Sequence, residues 1–138
     1  MATTYQEIRA FWRAKPFSTE AAFDTALLRF RILFAYHSGK LENRAITYQD
    51  TREIFEKGRV TGFAGDPRAL FEQQNQKMCH AFLKPYVLRQ EPLTLSLIRE
   101  VHRILVAGTY DEQRYLERGE RPGEFKKHDY VTGIHEVG

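Results

Sequence analysis

The chain has 138 residues, 42% hydrophobic and 28% charged, enough for one domain with a real core. Its net charge of +3 comes from Lys and Arg interleaved with Asp and Glu, as in Asp111-Glu112-Gln113-Arg114, so no basic run tracks a phosphate backbone and nucleic-acid binding finds no support. The single Cys79 excludes an intrachain disulfide and suits a reducing cytoplasm, no apolar run approaches the ~18 residues of a membrane span, and no signal peptide is visible. A cytoplasmic chain with no membrane partner is the expectation.

Helical spacing starts at once. Thr4 to Arg13 places Tyr5, Ile8, Phe11 and Trp12 on one face, with Pro16 as a breaker. Ser18 or Thr19 can cap a second helix running through Phe23, Leu27, Phe30 and Phe34 toward Tyr36. Its wide apolar stripe predicts a deeply buried helix. The Ser38-Gly39 step either breaks that helix or starts a short separate one. Thr47 caps Tyr48 to Glu56, which Gly58 ends. Asp66-Pro67 opens a long helix through Leu70, Met78, Phe82 and Tyr86, bent near Pro85. Pro92-Leu93-Thr94 opens another, with Leu95, Ile98, Val101, His102 and Leu105 on one face and Gly108 beyond it.

After Pro122-Gly123 the period changes. Phe125, Tyr130, Val131, Ile134 and Val137 stand among Thr132, Gly133 and Gly138, which reads as a short hairpin. The fold class expected is therefore all-α, a helical bundle with one late β-hairpin.

Chemistry is sparse. The five histidines form no H-E-x-x-H and no acidic cluster at metal-ligand spacing, so no metal site is expected. His128 and His135 read as solvent-facing, and His102 as a hydrogen-bonded core histidine. Cys79 reads as a small buried hydrophobe, and it forms no dyad with His80, because adjacent helical residues point about 100° apart. Phosphate cradles and the nucleophile elbow are absent from these 138 residues. By spacing alone no catalytic centre is present.

One motif stands out. Ser38-Gly39-Lys40-Leu41-Glu42-Asn43 sets a Ser and a Glu four apart, on one helical face about a turn from each other. A glutamate held this way can lie across a neighbouring pocket and pair with an arginine. The plainer reading is a solvated helix end with Asn43 as its stop signal.

The order of segments resembles the N-terminal part of a Fic-domain protein, the family of mostly AMP-transferring enzymes. Ser38 to Asn43 matches that family's inhibitory motif, [ST]-x-x-x-E-[GN], and Ile46-Thr47-Tyr48 resembles its step into the next helix. Asn75 and Ala81 stand where members carry a similar Asn and Ala. Pro92-Leu93-Thr94, Ile98, His102 and Leu105 resemble the stretch before the flap, and Pro122-Gly123-Glu124-Phe125-Lys126 the approach to the flap hairpin. Lys126 departs from the Arg common there, which weakens a bidentate contact. The likeness covers residues 30–138, leaving residues 1–29 as an N-terminal helical segment.

The resemblance implies a Fic fold, incomplete relative to the family, because the signature H-x-F-x-x-G-N-G-R-x-x-R is not among these residues. That loop carries the general base, the phosphate cradle, the metal-binding acid and the Arg that grips the γ-phosphate. The intact parent would use ATP and Mg²⁺ to place AMP on a protein hydroxyl; this chain would bind neither and be inactive alone, with no catalytic residue of its own. Glu42 would be the inhibitory glutamate, paired with the loop's Arg, with Ser38 as its hydrogen-bonding support and Asn43 letting the chain turn. Phe125, Lys126, Tyr130 and Val131 would belong to a flap that aligns the target protein as an added strand. Apolar surface left without the catalytic half predicts self-association. The alternative is a non-catalytic module that supplies Glu42 to a separate enzyme in trans.

Overall fold

A computed structural model of the chain describes residues 3–15 and 17–130. Pro16, the expected breaker, and residues 131–138, which include Val131 and the second arm of the expected hairpin, lie outside the described residues.

A side-chain oxygen near each start accepts from one of the four free amides that open the helix. Helix α1, Tyr5–Arg13, begins at Thr4, whose hydroxyl accepts from the Glu7 amide while the Glu7 carboxylate accepts from the Thr4 amide. Thr19 opens α2, Glu20–Glu42. Thr47 and Asp50 repeat the reciprocal arrangement at α3, Tyr48–Lys57, which Gly58 closes. Asp66 opens α4, Pro67–Leu88, with Pro67 in its first turn and Pro85 inside it. Thr94 opens α5, Leu95–Leu105. A sixth helix, α6, Glu112–Arg118, starts at Asp111 and ends at Gly119; it was not expected.

Helix α4 is the hub, packing against α2, α3 and α5, while α2 also packs on α3. Three polar side chains within five residues of α4 dock on its neighbours. Gln73 donates to the Ala35 carbonyl of α2 (3.0 Å) and Lys77 to the Ile54 carbonyl of α3 (3.1 Å). Asn75 donates to the Leu105 and Ala107 carbonyls at the end of α5 (3.1 and 2.8 Å). Gln73 and Lys77 are four apart and share a face, whereas Asn75 points roughly the other way. The sequence order thus puts α2 and α3 on one side of α4 and α5 on the other. Ile32, Ala35, Ile46, Ile54, Ala69, Cys79 and Leu97 fill the spaces between. At the other end, Trp12 of α1 meets Phe30 of α2 edge-on at 5.0 Å between ring centres.

Three expectations need correction. Helix α2 is continuous through Ser38 and Gly39, with neither a break nor a separate helix. It is also not deeply buried: only Phe23, Ile32 and Ala35 are, while Leu28 and Phe34 are 56% and 47% exposed. The mainly helical class stands, but no strand occurs among the described residues, and residues 125–130, the first arm of the expected hairpin, are irregular. Glu120 explains that irregularity. Its carboxylate, 2% exposed, accepts from the backbone amides of Lys127 and His128 and from the Tyr130 hydroxyl. Those amides are the donors a strand ladder would need.

Candidate functional site

The last two turns of α2 carry the motif, and their geometry follows from the four-residue spacing. Ser38 and Glu42 line one cleft of about 310 Å³, whose other wall is Arg68, Glu72, Gln73 and Gln76 of α4 and whose floor includes Val106 and Thr109 beyond α5. Glu42 is exposed and makes no ion pair among the described residues. Glu72, by contrast, is engaged by the Arg68 guanidinium at 3.0 Å.

The chain then turns sharply, and side chains hold the turn. Asn43 caps α2 in an extended conformation, and its Oδ1 accepts from the Ala45 amide at 3.0 Å, an Asx turn. Lys40 reaches forward to the Arg44 and Ile46 carbonyls. Ile46 is fully buried and anchors the far side. The carboxylate of Glu42 therefore sits at a helix end braced on both sides.

The flap candidates lie elsewhere. Phe125, 62% exposed, and Lys126 line a second cleft of about 490 Å³ with Ile98, Arg99, His102 and Arg114. Tyr130 is set among cations, with the Arg114 guanidinium 4.3 Å and the Lys126 ammonium 5.0 Å from its ring centre. No lining residue is common to the two clefts, so Ser38 and Glu42 are brought together while Phe125, Lys126 and Tyr130 form a separate group. Val131 lies outside the described residues. Gly123 joins that group to α5: its carbonyl accepts from Arg99 Nε and its amide donates to His102 Nδ1. His102 is thus hydrogen-bonded as expected, but exposed rather than in the core.

Electrostatics at Glu120 are pronounced. Burial alone would raise its carboxyl, but hydrogen bonds from the His128 ring, the Lys127 amide and the Tyr130 hydroxyl hold it down at about 2. His128, expected to face solvent, is half exposed, with Nδ1 2.9 Å from Glu120. His80 is pushed down by burial and by nearby Arg31, and the Cys79 thiol is pushed up by burial, which makes Cys79 a poor nucleophile.

Sequence reasoning did not single out Gln73, Arg68, Glu72 or Glu120. Only one signal pointed toward the first: a glycine inside an otherwise helical pattern, at position 39, which often marks close packing. Among the described residues no group of three His, Cys, Asp or Glu side chains could hold a metal ion, and no helix is long and apolar enough to cross a membrane.

Comparison with protein-family models, with curated proteins and with solved structures finds no match.

Proposed function

We propose that this chain is the regulatory N-terminal part of a Fic-type protein AMP transferase, and that Glu42 is its inhibitory carboxylate. The observation that carries the reading is the shared cleft: Ser38 and Glu42 face it together from one face of α2, and Glu42 makes no ion pair among the described residues. A guanidinium entering there would gain a charge-assisted, two-pronged contact, worth about 0.2–1 kcal/mol while Glu42 is exposed and more where the partner covers it from solvent. Ser38 adds a hydroxyl one helical turn away. The same arrangement would serve an arginine from the parent's catalytic loop or, in the alternative reading, from a separate enzyme.

The cleft does not fit ATP with Mg²⁺. Glu42 and Glu72 outnumber Arg68 on its walls, and that charge balance repels a polyphosphate. No step of the transfer is therefore assigned to this chain. Its role is to hold a carboxylate where an arginine would otherwise grip phosphate. A cytoplasmic setting belongs to the same reading, resting on the lone buried thiol.

Self-association is proposed through the outer face of α2, where Phe30, Leu33, Phe34 and Leu41 line an apolar groove and are 39–88% exposed. Sedimentation of Phe34→Asp against the unaltered chain tests it: the altered chain sediments as a monomer and the unaltered chain does not.

The functional test is AMP incorporation from labelled ATP. The 138-residue chain transfers none; the parent protein gains at least tenfold with Glu42→Gly. In the alternative reading, the chain added in trans silences a Fic enzyme and the Glu42→Gly chain does not. Transfer by the chain alone, or no effect of Glu42→Gly in either setting, overturns the proposal.

A further inference from the structure

Gln73 is 1% exposed, and its carboxamide reaches 38 residues back in the chain to donate to the Ala35 carbonyl. Ala35 lies one turn before Gly39, and the amide occupies the space that a side chain at position 39 would need. A Cβ there would fall far inside contact distance of Gln73 Nε2 and 3.1 Å from its Cδ. A glycine inside the last turn of α2 weakens that turn relative to alanine, so the close approach accounts for its presence.

Filling space does not account for the carboxamide. An apolar side chain of the same length would pack against Gly39 without burying polar atoms. Here Oε1 is buried and accepts from no group among the described residues, while Nε2 is committed to a backbone carbonyl that the helix already uses. The contact therefore carries direction as well as volume. Ser38 lies about 100° to one side of Gly39 around the helix, and Glu42 about 60° to the same side, one turn on. Pinning the bare face at Gly39 against α4 thus sets where both side chains point, into the cleft that Gln73 also lines.

We propose that Gln73 and Gly39 form an azimuthal latch: Gln73 is a positioning residue that holds the last turn of α2 so that Ser38 and Glu42 face the cleft. The functional weight of the latch rests on the reading of Glu42 as an inhibitory carboxylate.

The test uses the 138-residue chain and two readouts. The first is hydrogen exchange of the Lys40 to Asn43 amides. The second is the affinity of N-acetyl-arginine methylamide, a guanidinium probe, followed by backbone chemical shifts. Gln73→Met keeps length and volume but removes the donor; it lowers protection of those amides about tenfold and probe affinity at least fivefold. Gly39→Ala adds the clash. The double variant Gly39→Ala/Gln73→Ala removes the clash without restoring the latch, so it regains thermal stability over Gly39→Ala while its probe affinity stays low.

Unchanged protection in Gln73→Met overturns the latch. So does a double variant that regains affinity along with stability, since Gln73 would then be only a space-filler. An unaltered chain that ignores the probe, while Gln73→Met still loses protection, overturns the guanidinium reading of the cleft and supports the latch as a local device.

Discussion

Asn75, buried in the middle of α4, donates through Nδ2 to the carbonyls of both Leu105 and Ala107, so one helix satisfies the C-terminal end of another. The Leu105 carbonyl is among the four that α5 leaves without an internal partner, and Ala107 follows just past the Val106 cap. Leucine at position 75 would fill the volume and leave both acceptors without this donor, the partly buried Leu105 carbonyl with the less access to water. Asn75→Leu should lower unfolding stability by about 2 kcal/mol, read as a shifted urea midpoint with an unchanged slope.

Glu42 is placed against its own helix. It is the last residue of α2, where the partial negative charge of the free carbonyls disfavours a carboxylate by roughly 0.3–1 kcal/mol. Glu42→Gln should leave stability unchanged or raise it by a few tenths to about 1 kcal/mol. A loss larger than that would give Glu42 a structural role and weaken its assignment to the cleft.

Acid should loosen the segment around Glu120 before it unfolds the bundle. The folded carboxyl titrates at about 2, below its ordinary value of 4.5. Depression means that the stabilisation is fully present above about 4.5 and is lost as pH falls from there through about 2. Protection of the Lys127 and His128 amides, each exchange rate taken relative to its intrinsic rate at the same pH, should fall across that window. In Glu120→Gln, which has no such carboxylate, protection should already be low at neutral pH and unchanged by acid.

Gly123 is held in a left-handed conformation, φ +76°, with an added Cβ only 3.1 Å from the Arg99 carbonyl. Both the conformation and the contact oppose a side chain. Gly123→Ala should cost about 1–2 kcal/mol for the conformation alone. Limited trypsin digestion should then cleave faster at Lys126 and Lys127, because the same glycine ties their segment to α5.

Cys79 is 6% exposed and its thiol is pushed up by burial. Iodoacetamide at neutral pH should leave the folded chain largely unlabelled over a time in which the urea-unfolded chain reacts fully.

Local chemistry was legible in the sequence and distant chemistry was not. Thr47, Asp66 and Thr94 announced their helices because a cap acts within three residues of itself. Ser38 and Glu42 could be put on one face because four-residue spacing is itself the geometry. Helix α6 was missed although Asp111 and Gly119 bracket it, because its charges read as an interleaved surface and seven residues give little periodicity. Gln73 explains why position 39 is a glycine, and the buried carboxylate of Glu120 explains the irregular course of residues 125–130. Neither partner can be found by looking along one turn of chain.

The three docking side chains of α4, Gln73, Asn75 and Lys77, also constrain how the bundle can come apart. Slipping α4 by a single residue would turn it about 100° and unseat all three together, removing the α4 donors from the Leu105 and Ala107 carbonyls and the second donors from the Ala35 and Ile54 carbonyls. Opening of α2, α3 and α5 should therefore be one event, with their slowest-exchanging amides reporting a common free energy rather than a graded series.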